Sequence, residues 1–347
     1  MKQTTELLKE LSEAVGVSGQ EEAVRQIVYE AVKAHTDEIK VDALGNLITF
    51  KQGQGRDRLK VMVAAHMDEV GLMITGHESK GGLNFRTVGG ILDQTLAAKR
   101  VQVGPDRVPG VIGLKPIHLT KGGESTKVVK KDSLVIDVGA KSEDEAKGIA
   151  KIGDMATFLT PFVDLGPTFL GKAFDDRAGC AALIELVRGE PFAFDLYAVF
   201  TVQEEVGLRG ARVAAYAVEP DAAFVMDCTP ANDMPKKKDV SPNTMLGKGP
   251  AIYILGGRTM SDRRLVDLLT KAGDEDGIPY QIRQPGGGGT DAGSIQLTRA
   301  GVPVVSVSVP GRYIHSPAAI ISRDDFENLP RLVRAALSRL TRDTLER

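Results

Sequence analysis

Tryptophan is absent from this sequence, and aromatic residues make up only 5% of it. This scarcity argues against the aromatic platforms on which proteins stack sugars or nucleic-acid bases. Only two cysteines occur, so we expect no disulfide framework, and a reducing cytoplasmic environment is favoured. A net charge of −2 offers no basic surface for nucleic acid or for an anionic membrane.

Long hydrophobic runs are also missing. The apolar segments have the length of β-strands, too short to span a bilayer. The first residues, MKQTTELLKELSEAV, include acidic side chains and no continuous apolar core, so they do not form a signal peptide. With 347 residues, 42% hydrophobic and 26% charged, the composition is that of a soluble globular protein of one large or two ordinary domains.

Two kinds of patterning alternate along the chain. Residues 1–71 and 163–347 alternate apolar, β-branched runs with helical periodicity, which is typical of an α/β domain with a central mixed sheet between helices. Between residues 72 and 162, short alternating strands are broken by Gly and Pro, and helical periodicity occurs once, at SEDEAKGIA. The sequence therefore predicts a small β-rich domain inserted into an α/β domain.

Local signals place several elements. Residues 18–21 (SGQE) have the capping-box pattern ahead of a helix that runs to about Ala34. A helix is also predicted over residues 291–301, and the lysines at 236–238 are interpreted as a solvated turn.

Five side chains of metal-ligand type stand where predicted strands end. Four of the five directly follow apolar runs that are typical of buried parallel strands, and ligand sites of open α/β sheets collect at the carboxyl ends of such strands. Two imidazoles and three carboxylates suit a pair of Zn²⁺-like ions, whose charge one hydroxide would bring to neutrality. The candidate ligands are His66, Asp175, Glu205, Asp227 and His315.

The segments HMDEVG, FDDRAG, QEEVG, GGTDAG and YIHSP occur in this order. With them the chain resembles, over essentially its whole length, the M42 family of metallo-aminopeptidases, which includes glutamyl and tetrahedral aminopeptidases and some members labelled endoglucanase M. The resemblance implies two divalent ions per chain, Zn²⁺ or Co²⁺, and release of N-terminal residues from short peptides. It also implies a β-barrel-like dimerisation domain at residues 72–162, and a dimer-based homo-oligomer that extends to a hollow tetrahedral dodecamer.

Roles for individual residues follow in part from the residues and in part from the resemblance. In the turn after the first strand, Asp68 would hydrogen-bond the second ring nitrogen of His66. Asp176 is better interpreted as the cap of the next helix than as a ligand. The resemblance assigns the remaining roles. It implies that Asp175 bridges both metals and precedes a cis peptide bond, and that Glu204 is the general base that acts on the bridging hydroxide. It also implies that Asp227 joins His66 on one metal and that Glu205 joins His315 on the other.

Other motifs are less specific. The run Gly286–Gly289 forms either a wall of the substrate pocket or simply a permissive loop before a helix. Arg312 and Tyr313 are candidates to face substrate, and Cys228 is either a core residue or a point of oxidant sensitivity. The remaining histidines, which we interpret as non-ligands, are His35, His77 and His118.

Three rival functions stay open on the sequence alone. An endoglucanase needs two carboxyls that flank a glycosidic bond, which the adjacent Glu204 and Glu205 are poorly placed to do. A deacylase or carboxypeptidase could share the same metal core. A non-catalytic assembly scaffold is disfavoured because both the ligand set and the candidate base Glu204 are intact.

Overall fold

A computed structural model describes residues 3–56, 58–123, 127–234 and 244–346. The predicted lysine turn at 236–238 lies outside these residues. Within them the chain forms a central mixed sheet flanked by helices, together with a closed six-stranded antiparallel barrel, so the predicted fold class is confirmed. None of the helices in these ranges is long and apolar enough to cross a lipid bilayer.

The helices and strands account for most of the described chain. The helices are α1 (Thr4–Glu13), α2 (Glu22–Val32), α3 (Glu143–Ile149), α4 (Phe174–Arg188), α5 (Arg209–Val218), α6 (Arg263–Asp276), α7 (Ala292–Ile295) and α8 (Arg323–Leu337). The strands are β1 (Glu38–Val41), β2 (Leu47–Lys51), β3 (Lys60–His66), β4 (Gly71–His77), β5 (Leu83–Val88), β6 (Arg100–Val103), β7 (Val108–Ile112), β8 (Ile136–Asp137), β9 (Met155–Phe158), β10 (Val163–Asp164), β11 (Thr168–Gly171), β12 (Asp195–Thr201), β13 (Ala222–Pro230), β14 (Ala251–Tyr253), β15 (Gln281–Arg283), β16 (Val304–Arg312) and β17 (Ala319–Ser322).

Four parallel strands form the middle of the large sheet. The 11-stranded sheet has the order β1-β2-β12-β3-β13-β16-β17-β11-β10, with β14 paired to β16 and β15 to β14. Strands β12, β3, β13 and β16 run parallel to one another. Their carboxyl ends therefore meet at one edge of the sheet, which is where an open α/β fold places its ligands.

Strand β3 explains why helices cover both faces of the sheet. Because successive side chains of a strand point to opposite faces, its buried residues divide between two cores. Val61, Val63 and Ala65 belong to the larger core, which includes apolar residues of α1, α2, α4, α6 and α8. Met62 and Ala64 belong to a smaller core with α5 and α7. A strand buried on both faces needs the continuous apolar run seen in the sequence.

The barrel has a core of its own. Its strands close in the order β4-β5-β8-β7-β6-β9 and lie within residues 71–158. Alternate residues point inward, among them Leu72, Ile74, Val101 and Val103, and this cluster is separate from the two cores of the sheet. Closure removes free strand edges within the barrel.

Two local predictions were wrong. The predicted capping box does not form, because the hydroxyl of Ser18 donates to Asp68 at 2.6 Å and the Glu21 carboxylate accepts from the backbone N–H groups of Gly19 and Gln203. Helix α2 begins without a side-chain cap. The helix predicted over 291–301 is limited to the short α7, since the chain turns before Gly301 and Arg299 has a φ of +53°.

Candidate active site

All five predicted ligands meet at the carboxyl edge of the parallel strands. Two groups of three side chains have their ligand atoms within 4.8 Å of one another, and Asp175 belongs to both groups. One group adds His66 and Asp227 to it, and the other adds Glu205 and His315. The grouping is the one expected of two adjacent metal positions that share one carboxylate.

Asp175 divides its two oxygens between the two groups. Oδ1 lies 3.1 Å from Nε2 of His66, and Oδ2 lies 3.3 Å from Nε2 of His315. The other two carboxylates lie slightly farther from the same histidine nitrogens. Asp227 is 3.9 Å from Nε2 of His66, and Glu205 is 3.4 Å from Nε2 of His315. Asp175 is therefore the side chain best placed to bridge two cations.

The ends of the strands deliver the remaining groups. His66 is the last residue of β3, and Glu204 and Glu205 follow β12 in a turn that needs positive φ at Gln203 (+56°) and Gly207 (+121°). Because the chain turns here, the two adjacent carboxylates both reach the same cavity instead of opposite faces of the sheet.

Asp227 differs from the sequence-based expectation in one detail. It lies within β13, which continues to Pro230, rather than at the end of the strand. The strand can continue because it stays paired with β16 beyond this point, with Asp227 opposite Ser308.

Asp176 caps the regular part of α4, which begins after the non-helical residues Asp175 and Asp176, and its carboxylate belongs to neither cluster. Its Oδ1 accepts from the backbone N–H of Gly179 at 2.8 Å, and its Oδ2 accepts from the N–H of His66 at 3.1 Å. A Cβ on Gly179 would lie only 2.3 Å from the carboxylate, so glycine is required there. The peptide bond between Asp175 and Asp176 is cis, as the resemblance implied.

Asp68 connects three parts of the site. Its carboxylate accepts from the Ser18 hydroxyl and from the backbone N–H groups of Glu204 and Glu205, at 3.0 and 3.1 Å for the latter two. The expected contact with His66 needs a correction, since Nδ1 is closer to the backbone carbonyl oxygen of Asp68 (3.1 Å) than to its carboxylate (3.4 Å). Asp68 thus orients both the histidine and the turn that carries Glu204.

The barrel also contributes to the site. Nδ1 of His315 lies 3.0 Å from the carbonyl oxygen of Gly90, which follows β5. A hydrogen bond there requires the proton on Nδ1 and leaves Nε2 free as a ligand atom facing Asp175 and Glu205.

Burial of so many carboxylates in one place perturbs their protonation. Loss of hydration, with repulsion from Asp175, raises the pKa of Glu205 to about 8. Burial likewise raises the pKa values of Glu204 and Asp227 well above their usual range. For Asp175 the effect of burial is outweighed by the contacts with His315 and His66, which lower its pKa when these histidines are protonated.

These shifts mean that, without cations, the site retains protons on Glu204, Glu205 and Asp227 instead of accumulating negative charge. Buried carboxylates are costly without a cationic partner, and the two clusters offer their carboxylates no positive charge beyond that of His66 and His315 when protonated. Oxygen and imidazole donors are also the ligands that Zn²⁺ and similar ions accept. The residues therefore fit a pair of divalent cations.

A cavity of about 540 Å³ opens onto the cation-binding groups. Its wall includes Gly287–Gly289 and Tyr313, so the glycine run is part of a pocket and Tyr313 is placed as predicted. Cys228 also lines it. Arg312 does not, because its guanidinium forms a two-bond ion pair with Asp233. The clusters found in the described ranges contain none of the three histidines that were interpreted as non-ligands.

Some residues of the site were not foreseen. Tyr253, Arg258 and Arg283 line the cavity, although no motif marks them in the sequence. Beneath the site Glu69 accepts from Lys172 at 2.7 Å and from Arg177 at 3.3 Å, in a buried charge cluster. A sequence signal existed for Glu69, which stands inside the HMDEVG segment, and for Arg177, which stands inside FDDRAG.

Comparison with known proteins defines the class. Residues 45–332 match the M42 glutamyl aminopeptidase family. The chain is 39% identical over 333 residues to a putative aminopeptidase of Acetivibrio thermocellus, covering 96% of this chain and 98% of that protein. It is 37% identical over 348 residues to the lysyl aminopeptidase of Pyrococcus furiosus, covering 96% and 97%.

Solved structures agree. The TET aminopeptidase of Thaumarchaeota archaeon SCGC AB-539-E09 has a TM-score of 0.93 at 38% identity, covering 99% of this chain and 98% of that one. The Pyrococcus horikoshii TET1 peptidase, which assembles into a tetrahedron or a large octahedral shell, has a TM-score of 0.87 at 36% identity, covering 97% and 100%. A Thermotoga maritima protein called an endoglucanase has a TM-score of 0.79 at 34% identity, covering 97% of each chain.

The fold and the relatives together define a peptide-bond hydrolase of the aminopeptidase class. This chain belongs to the M42 glutamyl aminopeptidase family, and the resemblance inferred from its motifs is confirmed.

Proposed function

We propose that this protein is a two-cation aminopeptidase that releases N-terminal residues from short peptides, with Glu204 as its general base. The observation that carries the proposal is the position of Asp175, whose two oxygens face two separate His-carboxylate groups beside an open cavity. Asp175 would bridge the cations, His66 and Asp227 would hold the first, and Glu205 and His315 the second. When bound, a pair of Zn²⁺ or Co²⁺ ions supplies Lewis acidity for the scissile carbonyl and lowers the pKa of water.

Glu204 is suited to move the proton. Glu204 lines the cavity, and none of the described residues donates a hydrogen bond to its carboxylate. Both carboxylate oxygens are therefore available to accept a proton. Its backbone N–H is held by Asp68 at 3.0 Å, which fixes where the side chain begins. Burial raises the pKa of Glu204, which makes it a stronger base for taking a proton from the attacking water and giving it to the leaving amine.

The acidic lining also accounts for action at a free N-terminus. Four carboxylates border the cavity, namely those of Asp175, Glu204, Glu205 and Asp227. A protonated α-amine is attracted to these carboxylates, and a neutral α-amine can coordinate a bound cation through its lone pair. An acetylated amine carries no positive charge, and the lone pair of its amide nitrogen is delocalised. We therefore expect exopeptidase action on unblocked peptides.

The proposal is tested with a panel of aminoacyl-p-nitroanilides and their N-acetylated counterparts, before and after chelation. We expect release from unblocked substrates that stops on chelation and returns when Zn²⁺ or Co²⁺ is added. Release from the acetylated set alone would favour the deacylase alternative, and release from neither would contradict the proposal.

The endoglucanase alternative finds no support in the geometry. Glu204 and Glu205 are neighbours in one turn beside the cation-binding groups, whereas glycosidase carboxyls must flank the bond from two sides. Cleavage of carboxymethyl-cellulose that survives chelation would revive this alternative.

We also propose that residues 72–162 act as an inserted dimerisation domain in a homo-oligomer built from dimers, up to a tetrahedral dodecamer, in the cytoplasm. Exposed apolar side chains on this segment support the first part, among them Leu92 (67% exposed), Ile117 (69%) and Ile152 (68%). Light scattering after gel filtration tests the proposed homo-oligomer. We expect a mass that is a multiple of the 37.1 kDa chain mass, and a monomer at micromolar concentration would contradict the proposal.

A further inference from the structure

Four consecutive backbone N–H groups, those of residues 202–205, donate to side-chain oxygens. They belong to the turn after β12 that carries the proposed base and one candidate ligand. The acceptors are buried side chains from the first part of the sheet domain, and in order they are Asn46 (3.0 Å), Glu21 (3.2 Å) and, for the last two N–H groups, Asp68 (3.0 and 3.1 Å). Side chains that are distant in sequence therefore fix the shape of this turn.

Gln203 is the residue of this turn that most needs such support. Its φ is +56°, a left-handed conformation that is costly for a residue with a Cβ and persists where the surroundings hold it. Gln203 directly precedes Glu204, so a change in its backbone angles would redirect the proposed base. Because its N–H donates to Oε1 of Glu21, Glu21 holds the chain at the point where it leaves the strand.

Glu21 has no ion pair that would explain its burial. The residue is only 2% exposed, and among the described residues no ion pair within 4.0 Å includes it. Its Oε1 accepts from Gln203 and also, at 2.7 Å, from the N–H of Gly19 in its own loop. A buried carboxyl without a cationic partner is unfavourable, and the contact with Gln203 gives this one a function.

The loop between α1 and α2 brings Glu21 to the ends of the strands. This loop pairs with the segment after β3 through a parallel bridge between Val17 and Glu69, and the N–H of Glu69 donates to the carbonyl of Gly16 at 2.9 Å. Glu21 occupies the N-cap position of α2, yet its side chain makes no capping hydrogen bond there. The side chain that the sequence pattern assigned to a helix cap is instead directed at the turn after β12.

We propose that Glu21 is a positioning residue for the reaction, whose Oε1 fixes the backbone of Gln203 and thereby the direction of the Glu204 side chain. This inference rests on the proposed function, because it takes Glu204 as the base. What Glu21 supplies is an acceptor oxygen at a fixed reach, and its charge is not required. Glutamine has the same length and keeps a carbonyl oxygen, whereas aspartate is shorter by one methylene and methionine offers only a weak acceptor.

The experiment compares Glu21→Gln, Glu21→Asp and Glu21→Met with the wild type. Each protein is loaded with Co²⁺, its bound ions per chain are counted, and kcat and KM are measured on the aminoacyl-p-nitroanilide that the wild type cleaves fastest. We expect kcat per loaded chain to fall about 10- to 100-fold in the Asp and Met variants, the range for lost support of a site residue. We expect KM and the number of bound ions to be unchanged, and kcat of Glu21→Gln to stay within a few-fold of the wild type.

Asp325→Leu is the matched control for a purely structural effect. Asp325 of α8 is also buried, at 1% exposed, and accepts from the backbone N–H groups of Gly247 and Gly249 at 2.7 Å each, but it does not line the cavity. Loss of these hydrogen bonds destabilises the fold away from the turn. We therefore expect urea unfolding to show a lower free energy of unfolding, with kcat per loaded chain within a few-fold of the wild type.

The outcomes are distinct. Activity that is kept in Glu21→Gln and lost in Glu21→Asp supports the proposal, and this pair decides the question even if Glu21→Met does not fold. Wild-type kcat in Glu21→Asp overturns the inference, as does an equal loss in the Gln and Asp variants, or a loss in Asp325→Leu as large as that in Glu21→Asp. Each of these three results leaves the proposed function intact. No hydrolysis of any unblocked substrate by the wild type overturns the proposed function and this inference with it.

Discussion

The ring Nδ1 of His315 lies 3.0 Å from the backbone carbonyl oxygen of Gly90. One residue belongs to the loop after β16 of the sheet, and the other to the loop after β5 of the barrel, so this contact couples the barrel to the candidate metal site. His315 itself has a φ of +56°, which leaves its position dependent on such outside support. The barrel therefore contributes directly to the candidate site.

This contact predicts the effect of enlarging Gly90. A Cβ there would lie 3.4 Å from Nδ1 of His315, an ordinary contact, so Gly90→Ala should be tolerated. Gly90→Val adds bulk against the ring, and we expect affinity for the second cation to fall about 10-fold or more, the range seen when support of a metal-bound histidine is lost. Competition with a chromophoric chelator measures this cation affinity. Equal affinity in the Val and Ala variants would contradict the predicted role.

Asp68 gives a second prediction. In Asp68→Asn one oxygen becomes an NH₂ group, which cannot accept from the backbone N–H of Glu204 or Glu205. We expect kcat to fall about 10- to 100-fold because the turn that carries Glu204, the proposed base, loses its anchor. Ser18→Ala, which removes a single donor to the same carboxylate, should have the smaller effect. If both variants lose activity equally, the anchoring role of Asp68 is wrong.

Glu204→Gln tests the proposed general base. The substitution keeps the shape of the side chain and removes the carboxylate that would take the proton, so we expect kcat to fall about 100- to 10,000-fold with little change in KM or in bound metal. Glu219→Gln, a change at an exposed glutamate paired with Arg299, is the matched control. Activity within a few-fold of the wild type in Glu204→Gln would remove this residue from the mechanism.

Glu21 predicts a pH dependence of stability. Burial, only partly opposed by its backbone hydrogen bonds, raises the pKa of Glu21 from 4.5 to about 7. A carboxyl whose pKa is higher in the folded chain binds more protons when folded. Its contribution to the free energy of unfolding is therefore fully present below pH 4.5 and is lost as the pH rises through 7.

Glu21→Gln removes that titration while the amide oxygen still accepts from Gly19 and Gln203. Relative to the wild type, we expect the variant to gain about 1–3 kcal/mol in the free energy of unfolding between pH 4.5 and 8. Urea unfolding of both chelated proteins at several pH values measures the difference. If the free energies of unfolding of the wild type and Glu21→Gln change in parallel over this pH range, Glu21 does not titrate as described.

The fold and the grouping of the five candidate ligands were predictable because they depend on patterns that are local in sequence. The run before His66 is apolar on both faces, which indicates a central strand, and the candidate ligands follow apolar runs or stand in short local motifs. Arg258 and Arg283 were not predictable, since they reach the cavity from separate segments and neither belongs to a motif. The hydroxyl of Ser18 shows the same limit: its local pattern predicted a helix cap, but Asp68, distant in sequence, binds it instead.

The central claim is that Asp175 joins two cation positions that act together. The most direct measurement titrates the chelated enzyme with Zn²⁺ or Co²⁺ and records bound ions per chain and peptide hydrolysis in the same samples. We expect hydrolysis to reach its maximum only at two ions per chain, and Asp175→Asn to bind fewer ions and remain inactive. Full activity at one ion per chain, or two bound ions without hydrolysis of any unblocked peptide, would contradict the account.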